Sequence, residues 1–293
     1  MGDELLYLNG RVMPLAKGRV PVEDRGFQLG DGVYEVVKVM NGRGVWLEDH
    51  LDRLHASLGA IGMPQALQVH HLEEVLPSLV EEGKVVSGFL YVQVTRGVHP
   101  RDFALPERVE PTVLAYARSM PVDAPDVIEA GAVLHPVEDV RWGRCDIKSI
   151  GLLAAVMAKD EAMRAGADEA LFVGSDGLVR EGGSANVFAV LGGVLRTHPA
   201  DRHILNGITR QHLIELAVGA GIEVREKAFT LTELLSEDGA EMFLASTLRD
   251  VLPVVRVGNR TVSYGQAGAV TLELAQRFRR LQAVAAGLQP PGA

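Results

Sequence analysis

The chain carries a single cysteine, Cys145, so it can form no internal disulfide, and a lone thiol suits a reducing compartment. Aromatic side chains are scarce, at 5%. Basic residues are outnumbered, 29 against 38 acidic ones, for a net charge of −9. That balance argues against nucleic-acid binding, which usually leaves a basic footprint. The one basic cluster, RFRR at 277–280, reads as the solvated face of a C-terminal helix. No apolar run approaches the length of a membrane span, and the opening MGDELLYLNG has neither the basic nor the apolar region of a secretory leader. A cytoplasmic protein that engages neither nucleic acid nor membrane is the expectation.

What is present is ordinary globular material: 293 residues, 47% hydrophobic and 23% charged. That length exceeds one ordinary core and implies two domains. YLNGRVMP reads as a hairpin turned by Asn9-Gly10. DRGFQLGDG at 24–32 reads as a glycine-rich loop leading into a strand, VYEVVKVM, with Tyr34 and Val36 on one face and Val33, Glu35 and Val37 on the other. Leu47, Leu51, Leu54, Leu58 and Ile61 follow the helical period, with Arg53 beside that stripe. A second helix near 71–82 and strands in GFLYVQVTRG and PTVLAYA complete a small α+β domain over 1–120. MPVDAPDV, with two prolines and no periodicity, marks an interdomain linker at 121–132, and 133–293 forms the larger domain. There, EALFV, LVRE, NVFAV and VLRTH, separated by turns, suggest a meander bending into a barrel-like body. Thr230 and Glu233 stand at capping-box spacing.

The stretch from Arg141 to Ala162 places Lys148 before a strongly apolar helix. Its face is expected to be Leu152, Leu153, Val156 and Met157 with Ala155, Ala158 and Ala162, capped by Ser149 and stopped by Gly166. A lysine where a helix meets the core would lose solvent, and its amine would be freed as a nucleophile; from this window alone the better reading is a surface lysine lying along the helix, and the rest of the sequence reverses it. Cys145 lacks a nucleophile signature and reads as a small packed residue. Glu181 ends a strand ahead of Gly182-Gly183-Ser184-Ala185-Asn186. Asn206-Gly207-Ile208-Thr209 opens a helix whose free N–H groups suit an anion, though threonine there also reads as a cap. Ala245-Ser246-Thr247 adds two hydroxyls at another strand end. A nucleophilic amine, a lone carboxylate and a phosphate-sized cup are together what pyridoxal 5′-phosphate needs.

WGRCDIKSIGLLAAVMAK, EGGSANVF, THPADRHILNGITR and DRGFQLGDGVYEVVKV closely resemble the fold-type IV enzymes that use this cofactor, and most of all the D-amino acid aminotransferases, over roughly residues 5 to 280. The resemblance implies a two-domain α+β fold and a homodimer with shared sites. By it, Lys148 is the Schiff-base lysine and proton carrier, Glu181 partners the pyridine nitrogen, and Arg53, Ile208, Thr209 and Thr247 hold the phosphate. Ser184 and Asn186 line and support the cofactor, and Tyr34 helps hold the substrate carboxylate. The family's Arg-x-His pair is altered here: Arg101 remains, and Phe103 stands in place of histidine. Arg249 in STLRD is a second guanidinium for a substrate carboxylate or an outward partner of Asp250. The implied reaction is ping-pong transamination between a D-amino acid, such as D-alanine or D-glutamate, and a 2-oxo acid. On the same fold, an (R)-amine transaminase, a branched-chain L-aminotransferase and an aminodeoxychorismate lyase are the alternatives; a cofactor-carrying protein without turnover is another.

Overall fold

A computed structural model describes residues 4–108, 110–121 and 130–289. It divides into two compact units, one of Met1–Val122, Ile147–Gly151 and Gln282–Ala293, the other of Asp123–Asp146 and Leu152–Leu281. Of the expected linker, residues 122–129 lie outside the described residues.

In the first unit, β1 (Leu5–Leu8) and β2 (Arg11–Pro14) form the expected hairpin, Leu8 opposite Arg11, with Asn9 and Gly10 both at positive φ (46° and 85°). The DRGFQLGDG stretch is not wholly loop. It contains a short helix, α1 (Arg25–Leu29), because Asp24 accepts from the Gly26 and Phe27 amides at 2.8 and 3.4 Å and Gly30 closes the turn at φ 67°. Strands β3 (Gly32–Met40), β4 (Arg43–Gly44), β5 (Gly88–Thr95) and β6 (Thr112–Ser119) join the hairpin in an antiparallel sheet ordered β2-β1-β6-β5-β3-β4. Helices α2 (Leu47–Ala60) and α3 (Leu72–Glu82) lay Leu54, Leu58, Leu76 and Leu79 on the Val33, Val37, Leu90 and Val92 face, and this forms the core. The opposite face carries Tyr34, Tyr91 and Tyr116 in a row, their rings 5.7 and 5.3 Å apart.

The second unit contains β7 (Ala132–Glu138), α4 (Leu153–Arg164), β8 (Glu169–Val173), β9 (Val179–Gly182), β10 (Asn186–Leu191), β11 (Val194–Thr197), α5 (Ile208–Gly219), β12 (Val224–Glu226), α6 (Leu231–Ser236), β13 (Glu241–Ser246), β14 (Asp250–Val257) and β15 (Arg260–Thr261). A final helix, α7 (Ala269–Ala285), runs from the second unit into the residues that return to the first. Six strands follow one another around a ring, β10-β13-β14-β7-β8-β9, and a β9–β10 pair at Glu181 and Asn186 closes it. This is the anticipated barrel-like body. Val187, Leu171, Val254, Met242 and Leu244 lie in its apolar core. The Thr230 capping box opens α6 as expected, and Arg277, Arg279 and Arg280 on α7 are exposed around a buried Phe278.

Helix α4 departs from its sequence reading. Ser149 does not cap it: Leu152 holds the N-cap position with no side-chain bond, while Gly166 sits at φ 73° just past its end as expected. Its packed face is alanine, Ala158 and Ala162 buried against Phe172 and Ala170 of β8, because only small side chains let a helix backbone approach the strands this closely. Leu153, Val156 and Met157 are left 61–72% exposed on the other side.

Candidate active site

Residues Ile147–Gly151 run along the start of β3. Ser149 bridges Val33, the Tyr34 amide donates to the Lys148 carbonyl at 3.0 Å, and the Ile150 amide donates to Gly32 at 3.1 Å. Ile147 is buried in the first unit's core and anchors the segment. Lys148 is thereby half-buried, with Nζ 4.4 Å from the centre of the Tyr34 ring, a cation–π distance. Tyr34 and Lys148 therefore meet.

Beneath them, on the inward face of β3, lies Glu35. Its carboxylate accepts from His50 Nδ1 at 2.8 Å and from Arg53 Nε and Nη2 at 2.7 and 2.9 Å, with Glu35 and His50 each about 2% exposed. His50 and Arg53 stand three apart on α2, so one helix face delivers both. Burial pushes the Glu35 carboxyl upward, but the Arg53 charge, the His50 and Arg53 hydrogen bonds and the Lys148 charge outweigh it and hold the pKa at about 2. Burial also keeps the His50 imidazole below its ordinary value, against the pull of Glu35.

A second cluster is built on the ring closure of the other unit. Glu181 and Asn186 are opposed across β9 and β10, and Asn186 Nδ2 donates to Glu181 Oε2 at 3.1 Å and to the Leu205 carbonyl at 2.8 Å. The Leu205 amide donates to the same Glu181 oxygen at 3.1 Å, and Arg141 ion-pairs with the other. Arg141 is fixed in turn by both oxygens of Asp139 at 2.8 and 2.9 Å and by the Phe172 ring, 4.2 Å from its guanidinium carbon. Helix α5 opens at Gly207, which offers no side-chain cap, so the first amides are not consumed by one. Thr209 is buried there, and Arg210, also buried, donates to Asn206 Oδ1 at 3.1 Å, the His198 carbonyl at 2.8 Å and Glu226 at 2.6 Å. Helix α5 packs on β13, whose end carries Ser246 and Thr247.

The family model for amino-transferase class IV matches residues 32–257. The chain belongs to this family. It is 40% identical over 276 residues to a D-alanine aminotransferase of Listeria monocytogenes, covering 93% of this chain and 94% of that one. In structure it resembles the Escherichia coli branched-chain amino acid aminotransferase, with a TM-score of 0.88 at 24% identity, over 99% and 97% of the two chains. A T.th. branched-chain amino acid aminotransferase, solved with pyridoxamine 5′-phosphate, gives 0.84 at 25% identity, over 99% and 96%.

In this class IV aminotransferase the remaining candidates lie apart from both clusters' hydrogen bonds. Arg101 and Phe103 occupy an exposed loop, the guanidinium carbon 5.3 Å from the ring centre, with Phe103 79% exposed. Arg249 is exposed on the β13–β14 turn, where its amide donates to Ser246 Oγ at 3.4 Å. Ser184 is exposed, and its hydroxyl donates to the buried Glu169 at 3.2 Å. Cys145 is half-buried, its sulfur 3.3 Å from the Trp142 carbonyl. Burial chiefly, with Glu181, Asp139 and Asp146 nearby and against the pull of Arg141, pushes the thiol up to about 11, as suits a packed residue and not a nucleophile. Among the described residues, His198, Asp201 and His203 form the one grouping with metal-ligand spacing. His198 Nε2 faces a guanidinium nitrogen of Arg180 at 2.6 Å and so must accept, which leaves the proton on Nδ1, 2.9 Å from the Pro199 carbonyl. That tautomer withholds the nitrogen a cation would need.

Sequence reading passed over Glu35, His50, Asp139, Arg141 and Arg210. Glu35 had one available signal: it occupies an inward position of an otherwise apolar alternation.

Proposed function

We propose that this aminotransferase binds pyridoxal 5′-phosphate and transfers the amino group of a D-amino acid, of the D-alanine or D-glutamate kind, to a 2-oxo acid in two half-reactions. The observation that carries the reading is the Glu181 carboxylate, ion-paired and hydrogen-bonded at one strand end, together with the uncapped start of α5 in the same unit. That donor set fits the cofactor: a carboxylate for a ring nitrogen, and backbone amides with the Thr209 hydroxyl for a phosphate. The relatives' name, D-alanine aminotransferase, supports the choice of substrate. When bound, the cofactor supplies an electron sink for bond breaking at the substrate α-carbon.

The chain's own residues do the rest. Lys148 is the attachment amine and carries the α-proton, serving as base and then as acid. Glu181 holds the proton on the pyridine nitrogen, and Arg141 and Asn186 hold Glu181. Ile208, Thr209, Thr247 and Arg53 bind the phosphate, Arg53 with its guanidinium oriented by Glu35. Tyr34 and Arg101 hold the substrate carboxylate, Phe103 stands where the family's second donor is usual, and Arg249 is a second guanidinium for the α- or a distal carboxylate. Phe103, an apolar ring where the resembling enzymes place histidine, favours a secondary activity on (R)-amines that lack a carboxylate.

A homodimer accounts for the apolar face of α4: Leu153, Val156 and Met157 form a contiguous surface suited to a second copy. Among the described residues no helix is long and apolar enough to cross a membrane. A lone thiol suits a reducing compartment, and the cytoplasm is the compartment we assign.

The test is spectroscopic. Adding the cofactor to the apoprotein should produce a near-visible band, which D-alanine removes and 2-oxoglutarate restores. Lys148→Ala should never form the band. A band that responds to L-leucine, or to (R)-1-phenylethylamine, and not to D-alanine refutes the substrate assignment.

A further inference from the structure

Asn186 touches both halves of the second cluster. Its Nδ2 donates to the Glu181 carboxylate at 3.1 Å and to the Leu205 carbonyl at 2.8 Å, and Leu205 leads directly into the Asn206-Gly207 start of α5. Its Oδ1 lies against Gly207, so close that a Cβ built there would fall well inside van der Waals contact with it. Beyond the chain neighbours, the nearest atom from any other residue, Arg210 Cβ, is at an ordinary 3.6 Å from that position. The backbone at Gly207, φ −67° and ψ 141°, is one that any residue adopts. Glycine is needed there to make room for the Asn186 amide, not for its conformational freedom. The side chain is 5% exposed and stands at the register pair that closes the ring.

We propose that Asn186 is a positioning residue that holds the Glu181 carboxylate and the anion cup of α5 in fixed register, so that one rigid ligand can engage both at once. This rests on the cofactor reading above. A ligand spanning two sites gains from their separation being set in advance. A ligand that occupies only the cup gains nothing from it, because Arg210 holds the cup independently through Asn206, His198 and Glu226.

The experiment compares apoprotein affinity for pyridoxal 5′-phosphate, by fluorescence quenching, with affinity for inorganic phosphate, by calorimetry. In Asn186→Ala the first should weaken about tenfold and the second change less than twofold. Gly207→Ala should weaken both at least tenfold, and Asn186→Ala/Gly207→Ala should recover phosphate binding to within a few-fold of wild type, because the obstructing amide is gone. Asn186→Asp, which keeps the size and Oδ1 but loses the Nδ2 donor, should weaken cofactor binding and leave the Gly207→Ala defect in place. Equal weakening of both ligands by Asn186→Ala, or a double variant no better than Gly207→Ala on phosphate, overturns the proposal. Apoprotein melting curves identify variants that fail to fold, and Asn186→Asp then decides the question. A wild-type chain that binds no pyridoxal 5′-phosphate defeats the cofactor reading instead.

Discussion

Replacing Glu35 by glutamine keeps the shape of the side chain and removes one buried charge from among three basic neighbours. The carboxyl's ordinary pKa is 4.5 and its folded value about 2. At roughly 1.4 kcal/mol per tenfold change in proton affinity, ionised Glu35 contributes on the order of 3 kcal/mol to the fold. Because the folded pKa is depressed, that contribution is complete above pH 4.5 and drains away as pH falls toward 2. Glutamine can still accept from Arg53 or His50, so Glu35→Gln should cost about 2–3 kcal/mol at pH 7, near the lower end of what breaking a buried ion pair costs. The assay is urea unfolding followed by the fluorescence of Trp46, which precedes α2 in the first unit, in a Trp142→Phe background that silences the second unit's tryptophan. The stability difference between the parent protein and its Glu35→Gln variant should be largest near pH 7 and shrink steadily between pH 5 and 2. A gap under about 0.5 kcal/mol at pH 7, or one that stays constant as pH falls, refutes the assignment of Glu35 as the shared anion of His50 and Arg53.

Three further outcomes follow from other parts of the chain. Arg249→Ala should raise the Michaelis constant for D-glutamate several-fold and leave that for D-alanine unchanged if the guanidinium meets a distal carboxylate; unchanged constants for both remove that role. Met157→Lys should shift the protein toward monomers in sedimentation, since it places a charge on the exposed apolar face of α4; an unaltered sedimentation profile dissociates that face from assembly. Cys145, with its thiol pushed up to about 11, should react with iodoacetamide at pH 8 roughly tenfold more slowly than an ordinary cysteine, its smaller thiolate fraction partly offset by a more nucleophilic thiolate, and labelling at the ordinary rate contradicts its burial.

Local patterns were legible wherever a residue's role depends on its near neighbours. Asn9-Gly10, the α2 stripe, the Thr230 capping box and the strand spacing that ends in a closed ring all belong to this class. Helix α4 misled because apolar periodicity does not reveal which face meets the strands; its alanines won, since close approach to β8 excludes larger side chains. Arg141 and Glu181 are 40 positions apart, and no spacing rule joins an arginine in one loop to a carboxylate at a distant strand end. Lys148 stood out in its own stretch as a lysine ahead of an apolar helix. Its local sequence does not announce that Ile147–Gly151 leaves its chain neighbours and runs beside β3.

The ring of the second unit is latched by a single opposed pair, Glu181 and Asn186. The short turn between β9 and β10 closes the ring through the chain itself, with the Gly182 amide donating to the Ala185 carbonyl at 2.7 Å, and on the proposed reading the cofactor's ring nitrogen meets Glu181 at this closure. Whatever occupies that place rivets the seam, so saturating the protein should harden the whole barrel against denaturation by an amount set by ligand concentration relative to its dissociation constant.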